Sequence, residues 1–88
     1  MSADLARIER DLPEAVDAAR SLEEIGGWLR SQPGVRSVEL SDYLLKSHPP
    51  QRDFVVELDG EAGTRLRKVV NVVDLGDGRF EFRTLRNR

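Results

Sequence analysis

The sequence contains no cysteine and only one histidine, and these absences exclude several kinds of chemistry. A chain without cysteine forms no disulfide, offers no thiolate nucleophile and cannot hold zinc through sulfur. Its 88 residues are few for a domain that no disulfide stabilises, which favours a reducing compartment, and we expect a cytoplasmic location. No pattern points to a metal or another cofactor, so none is expected.

Long apolar runs are missing as well. No run of about 18 apolar residues is present, so we expect no membrane-spanning segment. Residues 1–12 lack the apolar core of a secretory signal. Apolar residues make up 39% of the chain and charged residues 34%, a polar but patterned composition that is typical of a folded protein. The length fits a single small domain over residues 1–88.

Charge is unevenly distributed along the chain, although its net value is only −2. Residues 1–44 contain five arginines against nine carboxylates, whereas residues 45–88 contain nine basic side chains against seven acidic ones. Of the 14 basic residues, 12 are arginine. This bias reflects either GC-rich coding or an anion-binding surface that uses the forked guanidinium group.

Apolar residues in the first third of the chain recur every three or four positions, which is the spacing of one helix face. Asp11 and Glu14, on either side of Pro13, have the spacing of a capping box. Ser21 and Glu24 repeat this spacing. We therefore expect helical turns at 4–10 and 12–20, followed by a more regular helix at 22–31.

The adjacent glycines Gly26 and Gly27 lie inside the last of these helices, where each costs about 1 kcal/mol relative to alanine. Such small residues indicate close packing against a sheet. Pro33 and Gly34 then end the helix, because proline cannot continue it and glycine permits the turn.

From residue 35 onward apolar residues alternate with polar ones, which is the period of β-strands. Turn residues divide this region at 48–51, 60–63 and 76–78. The predicted strands span residues 35–45, 53–59, 64–75 and 79–85. Helices followed by consecutive hairpins indicate the α+β class, with an N-terminal helical segment packed on a three- to four-stranded antiparallel β-meander.

Alternation divides the residues of the last hairpin between two faces of the sheet, if Leu75 is opposite Arg79 and Val73 is therefore opposite Glu81. One face carries Phe80, Phe82 and aliphatic residues of the two preceding strands. We expect this face to form the core, covered by the last helix with Trp28.

The second face combines aliphatic and arginine side chains, which is unusual for a surface that only water covers. In the same register, Leu85 lies opposite Val69 on this face. Either the N-terminal helical turns cover the face, or valine is there for its β-propensity, or the face binds another chain. The candidate partner-binding residues are Arg65, Arg67, Val69, Asn71, Val73, Arg79, Arg83 and Leu85.

The single histidine, His48, precedes Pro49 and Pro50 in a predicted loop. The neighbouring Ser47 cannot readily present its hydroxyl to His48, because adjacent side chains in an extended loop point apart, so the pair does not indicate Ser–His catalysis. Two consecutive prolines stiffen the loop, which suits recognition as well as a simple connection. His48, Pro49 and Pro50 are therefore a candidate recognition loop, and no residue is assigned a catalytic role.

The sequence LRSQPGVRSVEL at residues 29–40 resembles the helix-to-strand passage of ferredoxin-like domains, including the heavy-metal-associated ones. The Cys-x-x-Cys sequence that carries the metal in that family is absent here, and no second helix is predicted between the later strands. We therefore transfer no function from this resemblance.

Three functions are consistent with these patterns. The first is a non-catalytic protein-interaction module or accessory subunit, which binds another protein chain, or itself as a homodimer, through the mixed face. The second is nucleic-acid binding through an arginine stripe, since residues 62–88 contain seven basic and three acidic side chains. The third is a small-ligand binder or small enzyme that uses His48 or the arginine face.

Overall fold

Two helices precede four strands in the computed structural model, which describes residues 2–41 and 49–88. The elements are α1 (Leu5–Ala18), α2 (Leu22–Arg30), β1 (Val35–Leu40), β2 (Gln51–Asp59), β3 (Arg65–Gly76) and β4 (Arg79–Asn87), with a short 3₁₀ turn at Glu61–Gly63. The strands form one antiparallel sheet in the order β1-β2-β3-β4. The α+β class expected from the sequence is thus confirmed. No helix in the two described ranges is long and apolar enough to cross a membrane.

Helix α1 is continuous, whereas the sequence predicted two separate helical turns in this region. It begins after Asp4, whose Oδ1 accepts a hydrogen bond from Arg7 N–H at 3.1 Å. The capping box predicted around Pro13 is wrong, because this proline lies inside the helix. Pro13 lacks the N–H that would bond to the Glu9 carbonyl, but both residues are exposed, so water can satisfy that carbonyl.

The capping box predicted before the second helix is confirmed. Ser21 is the N-cap of α2, and its Oγ accepts a hydrogen bond from Glu24 N–H at 3.1 Å. Glu24 reaches back, and its Oε2 accepts a hydrogen bond from Arg20 N–H at 2.6 Å. The first bond satisfies a backbone donor that the helix itself leaves without a partner, and the second satisfies the N–H of the residue before the cap. Helix α2 therefore begins at Leu22, as predicted.

The glycine pair of α2 is not explained by close packing, contrary to the prediction. A β-carbon on Gly26 would lie 3.5 Å from the Phe54 ring, which is an ordinary contact distance. A β-carbon on Gly27 would meet nothing within 4 Å. Alanine would therefore fit at both positions, and nothing in the structure requires glycine there.

Both helices pack on the same face of the sheet, with α1 nearest β4 and α2 nearest β1. The fully buried side chains beneath them come from both helices and from the two central strands, and they are Leu12, Val16, Ile25, Leu29, Val56, Leu58, Val70 and Val72. Phe54 and Phe80 also belong to this core, as predicted. Trp28 is only partly buried and packs against it from the side.

A β-bulge in β4 changes the predicted register of the last hairpin. Val73 is opposite Glu81 as predicted, but Arg79 is opposite Gly76 instead of Leu75, and Asn71 is opposite Thr84 instead of Arg83. Leu85 consequently lies opposite Val70 and packs against the core. Its predicted place on the other face is wrong, because one extra residue in a strand reverses the alternation of every residue after it.

The other strands differ from the prediction mainly at their ends. β1 stops at Leu40, and residues 42–48 lie outside the part of the chain that the structure describes. β2 begins at Gln51, directly after the two prolines, and β4 extends to Asn87. These shifts leave the predicted order of elements unchanged.

Candidate interaction surfaces

The predicted partner-binding residues of β3 lie together on the side of the sheet that faces away from both helices, here called the outer face. Strand alternation and the register with β2 place there Arg65, Arg67, Val69, Asn71 and Val73. The other three are elsewhere, because Arg83 is the extra residue of the bulge, Arg79 lies opposite Gly76 beside the hairpin turn, and Leu85 packs against the core.

Two valines of the outer face are buried within the single chain. Val69 is 6% exposed and Val73 is 7% exposed, although both helices pack on the opposite side. These valines are therefore not left to water alone, and the alternative that the N-terminal helices cover them is wrong. They no longer indicate a partner, and homodimerisation through this face stays an untested prediction.

Carboxylates of β2 lie across from the arginines of the outer face. Arg65 Nη1 is 2.8 Å from Glu57 Oε1, and Arg36 Nε of β1 is 2.7 Å from Asp59 Oδ1. The sequence did not reveal these pairs because neither β1 and β2 nor β2 and β3 could be placed in register from it. Counting outward from the predicted turn at 60–63 would have set Asp59 opposite Thr64, one residue before the Arg65 that it faces.

These ion pairs lower the pKa of the carboxyl groups that form them. The hydrogen bond from Arg65 lowers the pKa of Glu57, and the hydrogen bond from Arg36 lowers the pKa of Asp59. Both pairs lie at the surface, where solvent and salt screen them. An arginine already paired with a carboxylate has less charge to offer a phosphate, so these pairs give the nucleic-acid alternative no added support.

Within the described ranges, Asn71 is the one buried polar side chain. Its Nδ2 donates a hydrogen bond to Asp53 Oδ1 at 2.8 Å, and Arg86 Nη2 lies 3.4 Å from the other carboxylate oxygen of Asp53. This polar chain crosses β2, β3 and β4 and favours their observed register. The burial of Asn71 is thereby explained by the fold itself, without a ligand.

The candidate recognition loop is described only at its end. His48 lies outside the described residues, whereas Pro49 and Pro50 are exposed. The Pro50 carbonyl accepts a hydrogen bond from Asp74 N–H at 2.9 Å, which attaches the end of the loop to β3. A role for this loop in recognition stays a prediction.

A groove of about 530 Å³ lies between α1 and α2, and the sequence did not reveal it. Its apolar lining consists of Ala15, Ala18, Ala19 and Trp28. Its polar lining consists of Arg7, Asp11, Glu14, Glu24 and Gln32. The one sequence feature that could have indicated this groove is the run of alanines near the end of α1, because small side chains leave space between neighbouring helices.

Carboxylates outnumber cations along this groove. Asp11 is paired with Arg10 at 3.0 Å and with Arg7 at 3.9 Å, and Glu24 is engaged in the cap of α2. Glu14 is exposed and forms no ion pair with any residue that the structure describes. Glu14 therefore offers an unneutralised negative charge to whatever enters the groove.

Trp28 is the only tryptophan of the chain, and part of its side chain is exposed at the groove. The backbone around it is fixed, since Gln32 Nε2 donates a hydrogen bond to the Trp28 carbonyl at 2.9 Å. An indole held on a helix presents a large apolar surface at low entropic cost, which is why tryptophan is common in interfaces.

No metal site is formed by three or more histidine or carboxylate side chains within residues 2–41 and 49–88. Comparisons of the chain with protein-family models, with curated proteins and with solved structures give no match.

Proposed function

We propose that this chain is a non-catalytic protein-interaction module, or an accessory subunit, that binds a cationic amphipathic segment of another protein in the groove between α1 and α2. The observation that carries the proposal is the groove itself, in which a partly exposed Trp28 adjoins alanines and carboxylates. We further propose a cytoplasmic location, because the chain has no cysteine.

The chemistry of the lining specifies the partner. Alanine side chains and an indole favour an aliphatic or aromatic anchor, since burying such a side chain contributes about 1.5–3 kcal/mol. Glu14 favours a lysine or arginine near that anchor. A helix with apolar residues on one face and basic residues beside them meets both requirements, as in other complexes in which a helix binds a groove.

The single tryptophan makes the proposal directly measurable. We expect a synthetic amphipathic peptide of leucine and lysine at helical spacing to shift the Trp28 emission to shorter wavelength, because the indole loses contact with water. The same peptide with glutamate in place of lysine should cause no shift. Titration of either peptide into the purified chain, followed by fluorescence, provides the measurement.

A matched pair of variants separates groove binding from general charge attraction. Glu14→Lys changes the charge at the groove, whereas Glu9→Lys makes the same change on α1 at an exposed position that does not line the groove. We expect Glu14→Lys to weaken binding of the lysine peptide about tenfold and Glu9→Lys to have little effect. Equal effects of the two variants, or an unchanged emission at millimolar peptide, would contradict the proposal.

A further inference from the structure

Strand β4 forms one edge of the sheet, and β3 is its only strand neighbour among the described residues. The Arg88 N–H donates a hydrogen bond to the Arg67 carbonyl at 3.2 Å. This bond shows which residues of β4 direct their backbone groups toward β3. Because antiparallel residues alternate between bonding inward and outward, Leu85 and Asn87 direct their backbone N–H and C=O groups away from β3. We refer to this side of β4 as the β4 edge.

The β4 edge is strongly basic. All five charged side chains of β4 and the residue after it are exposed, and four are cationic: Arg79, Glu81, Arg83, Arg86 and Arg88. Arg86 lies 3.4 Å from Asp53, whereas the structure shows no ion pair for Arg79, Arg83 or Arg88 with any residue it describes. The edge therefore combines available backbone groups with uncompensated positive charge.

A second copy of the chain does not fit this edge. Antiparallel pairing of β4 with itself would bring arginines of one copy close to arginines of the other, and like charges across strands are destabilising. The bulge at Arg83 also disturbs the regular ladder that such pairing needs. Charged residues and bulges are the devices by which natural edge strands avoid self-association.

We propose that the β4 edge binds an extended acidic segment of another protein, which adds to the sheet as a fifth strand. The backbone of such a segment pairs with the outward groups of Leu85 and Asn87. Its carboxylates pair with Arg83 and with the other free arginines of β4. Strand addition of this kind obtains affinity from main-chain hydrogen bonds and selectivity from side chains, here from charge.

The test uses an unstructured peptide of alternating glutamate and threonine, with a peptide of alternating lysine and threonine as its control. We expect the glutamate peptide to shift the backbone amide resonances of Leu85 and Asn87 in a ¹⁵N-labelled sample, without shifting those of Ala15 and Ala18 in the α1–α2 groove. The lysine peptide should leave the β4 resonances unchanged. Added salt should weaken the binding.

Two variants identify the two parts of the interaction. Arg83→Glu reverses one unpaired charge and should weaken binding of the glutamate peptide about tenfold. Asn87→Pro removes an N–H that points away from β3, so the folded chain should retain its melting temperature while the peptide loses one backbone partner. Thr84→Pro is the control for the second variant, because its N–H points toward β3 and its loss should lower the melting temperature.

Three results would overturn the proposal. The first is no resonance shift at millimolar glutamate peptide. The second is a shift confined to the α1–α2 groove. The third is binding of single-stranded oligothymidylate at the β4 edge in the absence of any peptide binding, which would instead support nucleic-acid recognition by these arginines.

Discussion

Among the glycines of the described chain, Gly34 is the one at which an added β-carbon would come closest to another backbone segment. Its φ is +85°, and a β-carbon there would lie 2.6 Å from the Ala3 backbone. Gly63 has a similar φ of +77°, but a β-carbon there would meet nothing within 4 Å. We expect Gly63→Ala to cost about 1–2 kcal/mol from backbone strain alone. Gly34→Ala should cost about 1–3 kcal/mol more, because the clash adds to the strain.

Urea denaturation of the two glycine variants provides the measurement. The difference between them isolates the contact with Ala3, whose N–H donates to the Asp59 carbonyl at 2.8 Å and thereby holds the N-terminal segment on β2. Equal losses of stability at Gly34 and Gly63 would show that the N-terminal segment does not pack against Gly34.

Gly27 is the residue at which the protein should gain stability. It lies inside α2 with open space around the position of a β-carbon. Alanine there reduces the conformational entropy of the unfolded chain and improves helix propensity, so we expect Gly27→Ala to stabilise the fold by about 0.5–1 kcal/mol. A lower urea midpoint for this variant would contradict the open environment.

At the scale of elements, α1 contributes more to the core than its sequence suggested. Leu12 is 0% exposed and belongs to the cluster that joins both helices to the sheet. We expect Leu12→Ala to cost about 2–5 kcal/mol. Trp28→Ala should cost less than the 3–5 kcal/mol that is typical of a fully buried aromatic, because Trp28 is only partly buried. A larger loss for Trp28→Ala than for Leu12→Ala would contradict this assignment of the core.

The elements themselves were largely predictable from sequence, since hydrophobic period and turn residues depend on local chemistry. The Ser21–Glu24 cap and the Asp77–Gly78 hairpin are examples, and both have the backbone conformation that their residues favour. The bulge at Arg83 and the continuity of α1 through Pro13 were not predictable. Both depend on how one element packs on others, and no short sequence pattern encodes that.

The exposure of the predicted binding face was not predictable for the same reason. Five of its predicted residues do lie together on β3. The sequence does not show how exposed their side chains are, however, and the structure buries Val69 and Val73. Which carboxylates of β2 lie opposite the arginines of β3 depends on the register of the two strands. Grooves between helices depend on the spacing of whole elements, so the α1–α2 groove is visible only in three dimensions.

At the scale of the molecule, the ion pairs of the outer face link stability to pH. Glu57 and Asp59 have lowered pKa values in the folded state, so their contribution is present above the unfolded pKa of about 4 and is lost as the pH falls through the lowered folded value. We expect the urea concentration at the unfolding midpoint to decrease as the pH drops below about 4. This decrease should be less steep in the Asp59→Asn variant. An identical pH profile for the variant would show that the Arg36–Asp59 pair does not form in solution.

The two proposed surfaces place opposite charge preferences on different parts of one small domain. In these proposals the groove, with Glu14, binds a cationic helix, whereas the β4 edge, with Arg83, binds an acidic strand. Such a division allows one chain to contact two partners, which suits an accessory subunit. Each surface has its own probe, so failure of one leaves the other testable.

The most direct measurement is resonance mapping of the ¹⁵N-labelled chain during titration with the leucine–lysine peptide. We predict shifts at Ala15, Ala18 and the indole N–H of Trp28, with the amides of Val69 and Val73 on the outer face unchanged. Shifts concentrated on the outer face, or no shifts at all at millimolar peptide, would contradict the central claim that the groove between the two helices is the binding site.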